Sequence, residues 1–429
     1  MFRARLLAVV LALGGKRAWV GHRMGKAIMR CSCGIDNPPS AVRCQQCGRR
    51  LHAANLRRLA VDGVALAGLI LALAAVYLWE KSQATASGAC SPLRLAVTPY
   101  EYDDMGKLLR WLGSGYQYTP ITYDALLDPA QLAQFDVVFL TCGGVPMHWV
   151  GQQVGQSQRD LAGMFQPRLE IVRAVRKSLR EFVGRGGTLY VSDLQFQLLE
   201  IAFPEFVDPH QVAEGAVQTV RAEVLDAGLR RRLGPTISLR FDKPAWRPAA
   251  FRGPGVVTYL RGEYQLTNGQ RTTGPLLVQF PYEEGTVIFT SFHNEKQNTQ
   301  AERELLEYLV FASVTAREAS KVNQTLIHGG FSPAERNLLS ASSGGEPLTQ
   351  QYECRGCGAL QFVLGFQGHG ARLRLTVIGP DGSRHEKSAD HTFRIEIPNA
   401  AKGTWQYSVT PLEVPYAKFP FTLTIGEKP

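Results

Sequence analysis

A chain of 429 residues is long enough for two or three domains, and its 45% hydrophobic and 20% charged composition is that of ordinary globular protein, with no internal repeat and no long low-complexity tract. The formal charge of +10 is local. Residues 1–58 hold twelve Lys and Arg against the single acid Asp36, so they carry +11 and residues 59–429 carry −1. A basic stretch confined to the flank of an apolar run reads as positive-inside topology and excludes a nucleic-acid partner.

Residues 1–28 open with MFRARLLAVVLALGG, a basic start and a short apolar run, Leu6 to Leu13. The run has the length of a signal h-region and is too short to span a bilayer. No small-x-small cleavage site follows it. The second reading is a natural start at Met24 or Met29, with 1–28 a basic leader or an over-extended start.

Residues 29–52 carry Cys31-x-Cys33 and Cys44-x2-Cys47, each pair followed by a glycine, Gly34 and Gly48. Four thiolates in two tight pairs make the tetrahedral sulfur set that structural Zn²⁺ takes, and a unit this small needs the metal to fold. The segment resembles the short zinc ribbons at the cytoplasmic end of many bacterial membrane proteins. It departs from them in having C-x-C in the first knuckle. The metal ligands expected are Cys31, Cys33, Cys44 and Cys47. Four thiolates close the coordination shell, so the zinc is structural.

Gly63–Trp79 is an uncharged run of small and apolar residues, flanked by Arg49, Arg50, Arg57 and Arg58 on one side and ended by Tyr77 and Trp79. It predicts a single transmembrane helix over 59–79, because a buried core helix of that length would show a polar face. The bilayer is then a partner. The chain sits in a bacterial inner membrane as a single-pass protein, N-terminus cytoplasmic and C-terminal domains periplasmic or extracellular. Residues 80–92 form a polar linker containing Cys90.

Residues 93–315 alternate strand and helix. Leu93–Val97, Tyr118–Tyr123, Asp136–Thr141 and Thr188–Ser192 read as strands; Asp103–Leu112, Asp128–Phe135 and Arg168–Gly184 read as helices. Leu276–Phe280 and Val287–Thr290 form a hairpin ending at His293, and Glu302–Val314 is a closing helix. This pattern predicts an α/β flavodoxin-like domain with sites at the carboxyl ends of the strands. The segments FDVVFLTCGG, GGTLYVSDLQFQLL and GTVIFTSFHNE resemble the class I glutamine amidotransferase-like fold, in the broad group that includes the ThuA-like proteins. The resemblance implies a nucleophilic Cys on an elbow, G-x-C-x-G. Here Asp193 stands at that position, with Val191 and Gln195 in place of the glycines. The FH-x-E pattern survives as Phe292-His293-Asn294-Glu295. A carboxylate is a far poorer nucleophile for amides than a thiolate activated by His. The resemblance therefore implies a candidate pocket of Asp193, His293 and Glu295, with glutaminase activity lost. Each residue also has a plainer reading, Asp193 as a helix N-cap and His293 as a hydrogen-bonded strand end. Cys142 reads as a small residue packed at a turn.

Residues 316–347 read as a polar linker with one short helix. From 348 to 429 the period becomes two, with a Pro380-Asp381-Gly382 turn, predicting an antiparallel β-sandwich. Pro380–Gly382 and Gly403-Thr404-Trp405 resemble the jelly-roll or pre-peptidase C-terminal-like sandwiches of exported bacterial proteins. Trp405 is expected in the core, and Cys354 and Cys357 in a local disulfide or paired with other cysteines. The sum is a multidomain membrane scaffold or sensor. The expectation is of protein partners through the ribbon and the sandwich, a small-molecule or carbohydrate ligand, and more of a binding than an enzymatic character. The alternative is an exported hydrolase or carbohydrate-active enzyme using His293 with Asp193 or Glu295.

Overall fold

A computed structural model describes residues 29–38, 40–51, 93–150, 167–208, 213–297, 299–342, 345–356, 358–367 and 370–429. The chain divides into two compact units, Met1–Gln83 and Ala84–Pro429, and each is described by itself. In the first, β1 (Met29–Arg30) and β2 (Asp36–Asn37) form a two-stranded antiparallel ribbon.

In the second unit a nine-stranded sheet holds the α/β domain. Its parallel half comprises β3 (Leu95–Val97), β4 (Tyr118–Pro120), β5 (Val137–Leu140), β6 (Thr188–Ser192) and β11 (Gly285–Thr290), in the order β4-β3-β5-β6-β11. That is the flavodoxin-like 2-1-3-4-5 order. Both faces of β5, β6 and β11 are buried, as expected when helices cover a parallel sheet on each side. The pleat sends successive residues to opposite layers. Leu95, Val97, Phe139, Tyr190 and Ile288 join one core, and Ala96, Val138, Leu140, Leu189, Val191 and Phe289 the other. Helix α1 (Met105–Leu112) packs in the first layer. Helix α3 (Leu169–Gly184) buries Ile171, Val175, Leu179 and Phe182 in the second, while the short α2 (Pro129–Leu132) is capped by Asp128.

The sheet continues through an antiparallel half: β10 (Arg271–Tyr282), β9 (Val257–Gln265), β7 (Gln218–Val224) and β8 (Thr236–Phe241), with α5 (Ala227–Leu233) against β7 and β8, while α4 (Phe196–Ala202) packs on β6 and α3. Four successive antiparallel pairings leave β8 running in the same sense as β11, so its carboxyl end reaches the same edge of the sheet.

Helix α6 (Gln300–His328) starts at a capping box: Glu302 N donates to Thr299 Oγ1 at 3.3 Å and Thr299 N to Glu302 Oε2 at 2.6 Å. It runs on through the segment read as a linker, and β12 (Ser332–Ala341) follows as a strand of the sandwich, so the linker over 316–347 is corrected. The sequence obscured this because the second half of the helix buries only a narrow stripe. Val322 and Leu326 meet Phe331 and Val363 there. The sandwich pairs one sheet, β12, β19 (Phe419–Lys428), β14 (Ala359–Gly365) and β17 (Phe393–Pro398), with a second. The second holds β13 (Leu348–Cys354), β18 (Gly403–Glu413), β15 (Arg372–Ile378) and β16 (Arg384–Ala389). Trp405 lies in its core and Cys354 is disulfide-bonded; Cys90 and Cys357 lie outside the described residues.

The single transmembrane helix is also corrected. Among the described residues no helix is long and apolar enough to cross a membrane. Helix α6 has the length, 29 residues, but carries Glu302, Arg303, Glu304, Glu307, Arg317, Glu318 and Lys321. Residues 59–79, on which the span was expected, lie outside the described residues. The single-pass inner-membrane placement, cytoplasmic on one side and periplasmic on the other, rested on that helix, and no described helix supplies a span for it.

Close approach of α6 to the sandwich depends on Gly365, where an added Cβ would collide with Val322 Cγ2. Valine is stiff in a helix. Gly365→Ala is expected to lose about 1–3 kcal/mol in chemical denaturation. Pairing it with Val322→Ala should cost less than the two single losses added together.

Candidate functional site

Two clusters of ligating side chains stand out among the described residues. In the ribbon, Cys31 and Cys47 sulfurs are 3.5 Å apart, as are those of Cys33 and Cys44. All four sulfurs lie within 4.8 Å of one another. A tetrahedral ion with bonds of about 2.3 Å spaces its sulfurs roughly 3.7 Å apart, so the set can hold a metal ion. Gly34 and Gly48 take φ of 87° and 67°, and their N–H groups donate to the carbonyls of Cys31 and Cys44. These tight turns aim backbone N–H groups at sulfur. Those of Cys47 and Gln46 lower the Cys44 pKa to about 6. Asn37 braces the second knuckle, accepting from Gln45 N at 3.0 Å.

The second cluster lies at the carboxyl edge of the large sheet. Cys142 follows β5, Asp193 follows β6, His293 follows β11 and Asp242 follows β8. Asp193 has φ of 43°, a strained value for a residue with a Cβ. The sharp elbow between strand and helix is thus kept without its glycines. Both oxygens of its carboxylate are engaged: Oδ1 accepts from Arg247 N at 2.6 Å and Oδ2 lies 3.0 Å from His293 Nε2. It does not cap a helix, for α4 has Gln195 at its N-cap and no side-chain cap bond. Asp242 Oδ1 lies 2.9 Å from His293 Nδ1. The loop that supplies both Asp242 and the Arg247 N–H is pinned by buried Trp246, tilted against the Phe241 ring and donating to Ala216 O at 2.8 Å.

Burial works against the charged imidazole of His293, but the hydrogen bond and charge of Asp193 outweigh it, with Asp103 and Asp242 adding to them. The result is a pKa of about 9. Cys142 Sγ stands 3.2 Å from His293 Nε2. Its burial, and the Asp193 carboxylate beside it, push the thiol far above its ordinary value. Asp103, in the segment after β3, ties the site together, accepting from Ser192 Oγ at 3.1 Å, Asn294 Nδ2 at 3.0 Å and Glu295 N at 3.0 Å. Burial raises its pKa despite these bonds.

The structure therefore brings Asp193 and His293 together and leaves Glu295 apart. Glu295 pairs with Lys107 Nζ at 2.8 Å. Asp242, and not Glu295 of the expected pocket, stands behind the imidazole, and Cys142 joins the cluster instead of merely filling a turn. The signal available for Asp242 was its place just past a strand, Thr236–Phe241. Nothing local linked it to residue 293. The glycine-rich turn after β5 is already occupied, since Gly144 N donates to Glu101 Oε2 at 2.5 Å and Gln195 Nε2 to Gly143 O at 2.6 Å. Beside Asp193 and His293 lies a cavity of about 240 Å³, walled by Val145, Leu194, Pro244 and Ala245, with Lys243 at its lining. Gln195 also lines it, and its buried Oε1 has no hydrogen-bond partner among the described residues.

No protein-family model and no curated protein matches the chain. Solved structures similar to it include a putative GMP synthase component from Thermoplasma acidophilum, with 12% identity, 53% of this chain and 98% of that one covered, TM-score 0.35. A glutamine amidotransferase from Thermotoga maritima shares 11% identity over 56% of this chain and 94% of its own, TM-score 0.29. A β-galactosidase from G. stearothermophilus shares 10% identity over 76% of this chain and 41% of its own, TM-score 0.27.

Because the folded pKa of His293 is raised from 6.5 to about 9, the stabilisation from its charged form is fully present below about pH 6.5 and is lost as pH rises through 9. The loss is on the order of 3 kcal/mol. Denaturation of the metal-free chain at pH 6 and pH 10 should show it, and Asp193→Asn should remove most of the difference.

Proposed function

We propose that the α/β domain binds a small hydroxyl-rich ligand, of the size of one sugar ring, and does not perform thiol-based acyl transfer. The observation that carries this reading is the cavity of about 240 Å³ that sets the polar groups of Asp193, His293 and Lys243 against an apolar wall of Val145, Leu194, Pro244 and Ala245. The remaining lone pairs of Asp193 also call for donors, and the apolar wall suits the C–H face of a ring. Acyl transfer is disfavoured by the protonated, buried Cys142, by the carboxylate at the elbow, and by the occupied Gly144 N–H where an oxyanion would need one.

A second reading, a hydrolase using His293 with Asp193, draws on the strained φ of Asp193 and on Asp242 behind the imidazole. Against it, both Asp193 oxygens are already hydrogen-bonded, and a protonated His293 is not a base. We further propose that the ribbon metal is a structural Zn²⁺, because four sulfur donors leave no open position.

Titration calorimetry of the full chain with a panel of monosaccharides and polyols is expected to find a binder that His293→Ala abolishes and Asp193→Ala weakens about tenfold. Glutamine hydrolysis is expected from neither the wild type nor Asp193→Cys, since Val191 and Gln195 crowd the elbow. Wild-type turnover would sink the binding reading, with Cys142 the first suspect. For the ribbon, elemental analysis should show Cys44→Ser losing about one equivalent of zinc per chain.

A further inference from the structure

We infer that Cys142, Asp193 and His293 form a second metal site, for a divalent ion of the zinc class, opening on the elbow cavity. The donors are one sulfur, one nitrogen and one oxygen. His293 Nε2 lies 3.2 Å from Cys142 Sγ and 3.0 Å from Asp193 Oδ2, and Sγ lies 3.6 Å from that oxygen. A tetrahedral ion with bonds of about 2.3 Å to sulfur and about 2.1 Å to nitrogen and oxygen spaces these atoms roughly 3.4–3.6 Å apart. The three donor atoms therefore lie close to the spacing an ion would impose and need open only slightly to admit it. All three residues are buried, and each stands at the end of a different strand of one sheet, which fixes its position better than a loop does.

The surroundings are those of a metal ligand set. A metal-bound histidine commonly gives its other N–H to a carboxylate, which sets its tautomer and orientation. Here Asp242 Oδ1 lies 2.9 Å from His293 Nδ1. The Asp193 oxygen that faces away from the ion is held by Arg247 N at 2.6 Å. Three protein ligands leave a fourth position, and the cavity lined by Asp193 and His293 gives it room for a water or a ligand oxygen. The ribbon, with four sulfurs, has no such opening. Uptake involves no redox change. The thiol proton of Cys142 and the proton between His293 Nε2 and Asp193 Oδ2 leave to solvent, and the ion takes their place. A metal here gives a hydroxyl ligand a direct anchor, yet the site does not depend on the binding reading, because the ion can be counted with no ligand present.

The experiment separates the two metals. Full-length chain is loaded with Zn²⁺, dialysed, and its metal content measured. The wild type should hold about two equivalents and a Cys44→Ser/Cys47→Ser chain about one. Adding His293→Ala to that chain should bring it near zero. Loaded with Co²⁺, the ribbon-deficient chain should show a thiolate-to-cobalt charge-transfer band that Cys142→Ser removes. Asp242→Asn, which takes away no donor, should weaken the affinity about 10–100-fold; it provides the test if His293→Ala does not fold. A ribbon-deficient chain that folds by near-ultraviolet circular dichroism yet retains no metal overturns the inference, as does an affinity unmoved by Asp242→Asn. Failure of every polyol to bind, with the second equivalent present, would count against the ligand reading alone.

Discussion

One buried imidazole lies between two carboxylates, and the carboxyl edge of the large sheet is arranged around it. His293 is 4% exposed and meets Asp193 through Nε2 and Asp242 through Nδ1. A charge taken out of water must be paired and hydrogen-bonded or it neutralises. Removing either carboxylate leaves the rest unbalanced, so β6, β8 and β11 must end at a common depth. The long antiparallel excursion through β7, β8, β9 and β10 makes sense in this light. It carries Asp242 away from the parallel half and returns it to the same edge.

The two cysteine clusters obey different logics. In the ribbon every ligand falls within seventeen residues, two glycine turns aim the sulfurs, and little else holds the unit together. At the elbow the three donors are drawn from positions 142, 193 and 293, and the rigidity of a hydrophobic sheet with a core on each face brings them within hydrogen-bond distance. The ribbon's four sulfurs could hold a metal ion. The elbow is built by packing whether or not an ion is present, which leaves its chemistry free to be ligand binding, metal binding or both.

Helix α6 joins the α/β domain to the sandwich within one compact unit. Its first half packs Leu305, Leu309 and Val310 on the sheet and its second half packs Val322 and Leu326 on the sandwich. Lys418 reaches back to Glu307 at 2.6 Å, and Tyr116 donates to Lys418 O at 2.7 Å. The sandwich is therefore fixed to the α/β domain by side-chain packing and polar contacts.

Patterns with short range were legible in the sequence. The Cys31, Cys33, Cys44 and Cys47 spacing, the apolar runs of β5 and β6, the face of α3 and the period-two strands of the sandwich depend on neighbours a few residues away, and composition records them. The elbow at Asp193 could be placed because a strand, a turn and a helix are contiguous there. Tertiary structure alone decided that Asp242 and not Glu295 backs His293, that Cys142 joins the cluster, and that 316–341 is helix and strand. Each of these turns on residues far apart in the chain, or on a stripe as narrow as Val322 and Leu326. The reason is physical: a side chain's partner across a sheet edge is set by strand order and register, and neither is written in the local pattern of apolar and polar residues.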